Sequence, residues 1–124
     1  MSRILVVDNE KSMREMLTIA LGKEGYEVET ARNGEVAVEM VETSDFDVVI
    51  TDINMPRSNG IDVLNAVNRI RPGTPVIMMT GYASPETAVE TMKKGAYDYI
   101  TKPFNMDDFK LVIRNASEKK ELTE

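Results

Sequence analysis

The 124-residue chain is predicted to form a single α/β domain, a doubly wound (βα)5 sandwich in which five parallel strands alternate with five helices. Three observations predict it. Short apolar runs of strand length recur along the chain, and longer stretches of helical period separate them. Two of the runs, "DVVIT" and "PVIMM", are apolar almost throughout, as strands covered on both faces should be.

The elements follow in order. Residues 3–7, "RILVV", read as the first strand. Met13, Met16, Leu17, Ala20 and Leu21 then recur at i, i+3, i+4, i+7 and i+8, which is one apolar helix face, and Gly25 is its stop signal. "YEVETA" alternates, as a less buried flanking strand does. Val36, Ala37, Met40 and Val41 mark a second helix after Asn33-Gly34. "DVVIT", residues 47–51, is the third strand, and "IDVLNAVNRI" after Gly60 is a helix closed by "RPGTP". "PVIMM", residues 75–79, is the fourth strand. Ser84-Pro85 supplies a capping hydroxyl followed by proline at the first helical position, and Gly95 ends that helix. "DYIT" is the fifth strand. In the last helix Asn105 is the cap, with Asp108 three residues on, and Phe109, Val112, Ile113 and Ala116 face the core. The domain is expected to span residues 1–118. Residues 119–124 are either the fraying helix end or a linker stub toward an output domain. The methionines Met13, Met16, Met40, Met78 and Met79 read as core fillers.

Composition narrows the chemistry. A domain of ~100–150 residues buries a substantial core, and 42% hydrophobic content supplies the material for it. Fifteen Lys and Arg stand against 21 Asp and Glu, a net charge of -6. That balance disfavours direct nucleic-acid binding, which needs a basic stripe. No apolar run approaches the ~20 residues of a membrane span. "MSRILVV" lacks the features of a signal peptide, so a cytoplasmic location is expected. The absence of Cys removes thiol chemistry, and the absence of His removes imidazole triads and the usual general base. Carboxylates, hydroxyls and amines remain.

In a doubly wound sheet the loops after the strands' carboxyl ends gather on one edge, and ligands bind there. The first strand delivers Asp8, Asn9 and Glu10 to that edge. The third delivers Asp52 and Asn54, the fourth Thr80-Gly81, and the fifth Lys102-Pro103. Singly, each is more often a turn former or a surface residue; together they make a site. Carboxylates at ~4 Å repel by ~4 kcal/mol at an effective dielectric near 20, so Asp8, Asp52 and Glu10 call for a cation. All-oxygen ligands suit Mg²⁺. A carboxylate such as Asp52 can also attack phosphorus, giving an aspartyl phosphate. Phosphoryl transfer then needs positioning and charge neutralisation, with Lys102 as a second cation and the Thr80 hydroxyl as a donor.

"ILVVDNE", "DVVITDINMPRSNGID", "PVIMMTGYA" and "GAYDYITKPF" resemble, in order and spacing, the receiver domain of bacterial two-component response regulators. The resemblance covers nearly the whole chain and implies the flavodoxin-like strand order 2-1-3-4-5. It implies a signalling domain, not a turnover enzyme, in which Asp52 accepts a phosphoryl group from a phosphohistidine of a sensor histidine kinase. Asp8, Asn9, Asp52 and the Asn54 backbone carbonyl would hold Mg²⁺, with Glu10 acting through a bound water. Lys102 would pair with the phosphoryl group, Thr80 and Tyr99 would form a coupled switch, and the Lys102-Pro103 bond would be cis. Asn54 and Tyr82 would tune the lifetime of the phosphate. The face formed by the fourth helix, fifth strand and fifth helix, carrying Lys93 and Tyr97, would then bind a second copy or an output domain. "GYASPETAVETMKKGAYDYITKPF" is similar to receivers of nitrogen-regulation-type enhancer-binding transcription activators, whose chains continue into an ATPase and a DNA-binding domain.

One position departs from that pattern. The family generally has two adjacent acids after the first strand, and the second here is Asn9. An amide oxygen brings no charge, so metal affinity should fall and the metal-free site should be less self-repelling. Asn9 therefore favours a rival reading, a pseudo-receiver that acts as a phosphorylation-independent docking or dimerisation module. Asp52, Thr80 and Lys102 speak against it. An aspartate-nucleophile phosphatase would want an acid where Asn54 stands, and in a flavin carrier Asp8 and Glu10 would repel the phosphate.

Overall fold

Strands β1 (Arg3–Val7), β2 (Glu27–Ala31), β3 (Val48–Asp52), β4 (Val76–Thr80) and β5 (Asp98–Thr101) form one parallel sheet in the order β2-β1-β3-β4-β5. This is the doubly wound arrangement expected from the sequence. The structure is a computed structural model and describes residues 2–55, 59–81 and 84–123, with the side chains of residues 121–123 left aside. Helices α1 (Lys11–Lys23), α2 (Gly34–Thr43), α3 (Gly60–Ile70), α4 (Pro85–Lys93) and α5 (Met106–Thr123) make the crossovers.

Side chains alternate across the central strands and build two cores. Leu5, Val7, Val49, Val76 and Met78 pack with Ala37 and Val41 of α2 and with Val63, Leu64 and Val67 of α3. Ile4, Val6, Val48, Ile50, Ile77 and Met79 pack with Leu17 and Leu21 of α1 and with Phe109, Ile113 and Ala116 of α5. Every residue of β3 and β4 is buried, which explains their continuous apolar runs. Each such side chain contributes roughly 1.5–3 kcal/mol on burial. At the sheet edge β2 is only partly covered.

The caps predicted at Ser84 and Asn105 form, and Asn33 caps α2 as well. Asn33 Oδ1 accepts from Val36 N at 2.9 Å, Ser84 Oγ from Thr87 N at 3.1 Å, and Asn105 Oδ1 from Asp107 N at 2.8 Å and Asp108 N at 3.1 Å. Gly25 and Gly95, with φ of 91° and 98°, close α1 and α4 in a left-handed conformation that only glycine adopts at no steric cost.

Two expectations change. Met16 is 42% exposed, not a core filler; Leu17 and Leu21 meet the sheet, and Met16 lies at the solvent edge of the apolar stripe. β3 and β4 each sit one residue further along than the apolar runs suggested. Ladder pairing continues through the polar ends, with Asp52 opposite Met79 and Thr80 opposite Thr101. The last helix, α5, runs unbroken across residues 118 and 119, as the helix-end alternative for residues 119–124 requires. Its far turns dock: Ser117 and Lys120 are buried, Ser117 Oγ lies 2.5 Å from Ser2 Oγ, and Lys120 Nζ lies 3.8 Å from Asp45. Lys120 is buried although a charge-based reading of "SEKKELTE" places it in solvent.

Candidate functional site

The sheet register places the polar strand ends together. Past β1, Asp8 N donates to Ala31 O at 3.2 Å; past β3, Ile53 N donates to Met79 O at 2.9 Å; past β5, Lys102 N donates to Thr80 O at 2.8 Å. Three main-chain bonds beyond the strand ends thus fix the backbone from which the site side chains project. Asp8 and Thr80 are fully buried, and Asp52 is nearly so.

Lys102 joins the two acids. Its Nζ lies 3.0 Å from Asp8 Oδ2 and 3.1 Å from Asp52 Oδ2. The other oxygen of each carboxylate accepts a backbone N–H: Asp8 Oδ1 from Glu10 at 2.9 Å, and Asp52 Oδ1 from Asn54 at 3.1 Å. The Asn9 and Glu10 side chains are exposed beside this cluster. Tyr99 packs against the α2/α3 core, and its buried hydroxyl has no hydrogen-bond partner among the described residues. The Lys102–Pro103 peptide is cis. Tyr82 lies outside the described residues.

Burial raises the Asp52 carboxyl above its ordinary range, and the Asp8 carboxylate pushes the same way; the bonds from Lys102 and Asn54 oppose this without cancelling it. Burial alone would lower the Lys102 ammonium, but its bonds to Asp8 and Asp52 overcome that and leave it raised. Both shifts have one meaning. With two carboxylates against one ammonium, the centre holds its protons tightly and favours added positive charge.

Among the described residues, no group of three or more Asp, Glu, His or Cys is placed to hold a metal. Mg²⁺ needs only one or two protein carboxylates, because it keeps several waters and takes phosphate oxygens. Asp8 and Asp52 meet that requirement, since each bonded oxygen retains acceptor capacity. The donor set therefore fits a hard divalent cation, with the Asn54 carbonyl and Asn9 amide as neutral oxygens nearby in the chain.

Three contributors were not legible beforehand. The Asn54 side chain reaches across to β4, its Nδ2 donating to Thr80 Oγ1 at 2.8 Å. Arg14 Nη1 donates to the Asp8 backbone carbonyl at 2.8 Å. Gly60 N donates to Ile53 O at 2.9 Å, and a Cβ on Gly60 would stand 2.4 Å from the Asp52 carbonyl oxygen. Of these only Gly60 left a trace in the sequence, as a glycine at the start of α3 right after the capping residue Asn59.

Residues 4–114 match the response regulator receiver domain family. The chain is 43% identical over 115 residues to regulatory protein AtoC of Escherichia coli (strain K12), covering 93% of this chain and 25% of that one. It is 35% identical over 113 residues to the DNA-binding transcriptional regulator NtrC of Azospirillum brasilense, covering 91% and 24%. It thus spans about a quarter of the length of these relatives. Among solved structures, a CheY-like receiver domain protein from Methanospirillum hungatei JF-1 superposes with a TM-score of 0.95 at 34% identity, over 100% of this chain and 99% of that one. A beryllofluoride-activated NtrC4 receiver domain dimer gives 0.91 at 37%, over 97% and 99%. Response regulator TrrA of Thermotoga maritima, in complex with Mg²⁺ and beryllofluoride, gives 0.85 at 35%, over 94% and 99%. By sequence match and by fold, the chain belongs to the response regulator receiver domain family and resembles the receivers of nitrogen-regulation-type enhancer-binding transcription activators.

Proposed function

We propose that this chain is a phosphorylation-activated switch of the cytoplasm whose acceptor is Asp52 and whose phosphoryl donor is a sensor histidine kinase. The observation that carries the reading is the convergence of Asp8, Asp52 and Lys102 within hydrogen-bond distance on one edge of the sheet. In the transfer, an Asp52 oxygen forms a P–O bond as the P–N bond of the phosphohistidine breaks, and the bonding pair returns to the imidazole nitrogen. Asp8, Asp52, Asn9 and the Asn54 carbonyl would hold Mg²⁺, with Glu10 reaching it through water. The bound cation would neutralise charge developing on the phosphoryl oxygens. Lys102, already a donor to Asp52, shifts to a phosphoryl oxygen and keeps its positive charge there. The rigid sheet holds the acceptor in place, so little reorganisation is needed.

Phosphorylation adds about 1.5–2 negative charges at pH 7. Thr80 donates to the new oxygens, Tyr99 repacks around the moved side chain, and the α4–β5–α5 face changes. Val89 and Met92 on α4 are exposed apolar residues, which supports that face as a contact for a second copy or an output domain carrying ATPase and DNA-binding functions. The NtrC4 receiver was solved as an activated dimer. Among the described residues, no helix is long and apolar enough to cross a membrane.

The exposed Asn9 amide favours a second reading, the phosphorylation-independent docking module. Sedimentation with Mg²⁺, with and without beryllium fluoride, separates the two. The switch reading predicts dimers only when both are present. The docking reading predicts the same oligomeric state in every case.

A further inference from the structure

We infer that Arg14 is a positioning residue for the cation site: by pairing the buried Asp8 carbonyl, it holds the Asp8 carboxylate in the setting that a divalent cation needs. This rests on the cation-assisted phosphoacceptor reading above, which gives Arg14 no role. Arg14 stands in the first turn of α1, and its Nη1 donates to the Asp8 carbonyl oxygen at 2.8 Å. β1 ends at Val7, one residue before Asp8. Asp8 N still donates to Ala31 O at 3.2 Å, but the Asp8 carbonyl lies past the end of the ladder. Asp8 is fully buried, so that oxygen is out of reach of water, and a buried carbonyl left unpaired is costly. Arg14 is the group that pairs it.

Asp8 also carries a carboxylate of the site. Its Oδ1 accepts from Glu10 N at 2.9 Å and its Oδ2 from Lys102 Nζ at 3.0 Å. Arg14 N in turn donates to Glu10 O at 3.2 Å. One residue thus ties both ends of the segment 8–10, Glu10 through its main chain and Asp8 through its side chain. The switch proposed above moves Lys102, Thr80 and Tyr99 and leaves the Asp8 main chain in place, so the Arg14 bond serves the empty and the loaded site alike.

Loss of the guanidinium leaves the carbonyl oxygen to seek another donor or water, and the backbone rotation that reaches one carries the carboxylate with it. The loaded site, where Asp8 must meet the cation in one geometry, suffers more from this than the empty site. Charge works the other way, because removing a nearby guanidinium relieves repulsion of a cation. Arg14 is only half-buried, and at 1 M salt the screening length is ~3 Å. Under that condition the charge contribution is suppressed and positioning decides the sign.

The test is calorimetric titration with Mg²⁺ in 1 M KCl, alongside thermal denaturation. Arg14→Met keeps an apolar stem and removes the donor, and Arg14→Gln is a second, shorter replacement; both substitutes are good helix formers, so α1 is retained. Each should weaken Mg²⁺ binding about two- to tenfold, the range of one hydrogen bond, and lower the melting temperature. Lys11→Met removes an equal charge from the same helical turn, on a side chain 81% exposed, and should leave the affinity unchanged. A lower melting temperature with unaltered affinity in both Arg14 variants would make the contact merely structural and overturn the inference. Tighter binding in those variants, or an equal loss in Lys11→Met, would overturn it as well. A wild type that binds no Mg²⁺ even at low salt would instead sink the cation-assisted reading, and this is seen before any variant is compared.

Discussion

Lys102→Met removes the ammonium that bridges Asp8 and Asp52 and leaves the two carboxylates facing each other. With contacts of 3.0 and 3.1 Å to one nitrogen, the acidic oxygens stand no more than ~6 Å apart. At that distance two unit charges repel by ~3 kcal/mol at an effective dielectric near 20, and neither group is exposed enough to regain full hydration. For a domain of this size that corresponds to a fall in melting temperature of about 10 °C at neutral pH. The pH dependence has a definite sign. A carboxyl whose folded pKa lies above its unfolded value destabilises the fold wherever it is ionised. The loss grows as pH rises through the folded pKa and vanishes below the unfolded one. Asp52 is already raised in the wild type by burial, and the substitution raises it further. The variant should therefore lose most at pH values where the raised carboxyl is ionised and least in acid, below the ordinary carboxyl pKa, and Mg²⁺ should restore part of the loss. Thermal denaturation across this range, with and without Mg²⁺, is the assay. A variant as stable as the wild type at pH 7, or a loss that does not change with pH, would refute the electrostatic account of the site.

Asn9→Asp adds a charged oxygen at the rim and should tighten Mg²⁺ binding about tenfold, equivalent to ~1.4 kcal/mol, while lowering the melting temperature of the metal-free protein. Calorimetric titration that finds affinity and stability both unchanged would remove Asn9 from the site. Gly60→Ala should cost about 1–3 kcal/mol in urea denaturation, because the new Cβ meets the Asp52 carbonyl oxygen at 2.4 Å; a neutral result would mean the loop after β3 yields freely. Asp52→Asn removes a buried charge whose ionisation burial disfavours, so the metal-free variant should melt a few degrees higher at pH 7. An equal or lower melting temperature would contradict the assigned cause of that shift.

The fold was legible because its signals are local and repeated. Continuous apolar runs mark β3 and β4, and side-chain caps mark the starts of α4 and α5. The convergence of Asp8, Asp52 and Lys102 was legible for another reason: parallel topology brings every strand's carboxyl end to one edge. What was not legible depends on side-chain direction across strands. The Asn54–Thr80 bond joins residues 26 positions apart, and no periodicity encodes it. The burial of Lys120 was missed because a lysine reads as solvated from its charge alone, although a long aliphatic stem can be buried. Met16 failed in the opposite sense, since an apolar residue on the helical stripe can still sit at its wet edge.

The central claim is that Asp52 is the phosphoryl acceptor of a cation-assisted site. Intact-protein mass spectrometry after exposure to acetyl phosphate and Mg²⁺ tests it most directly. The account predicts that the wild type gains the mass of one phosphoryl group, that omission of Mg²⁺ suppresses the gain, and that Asp52→Asn abolishes it. A wild type that gains nothing, or an Asp52→Asn variant that is phosphorylated as readily, would contradict it.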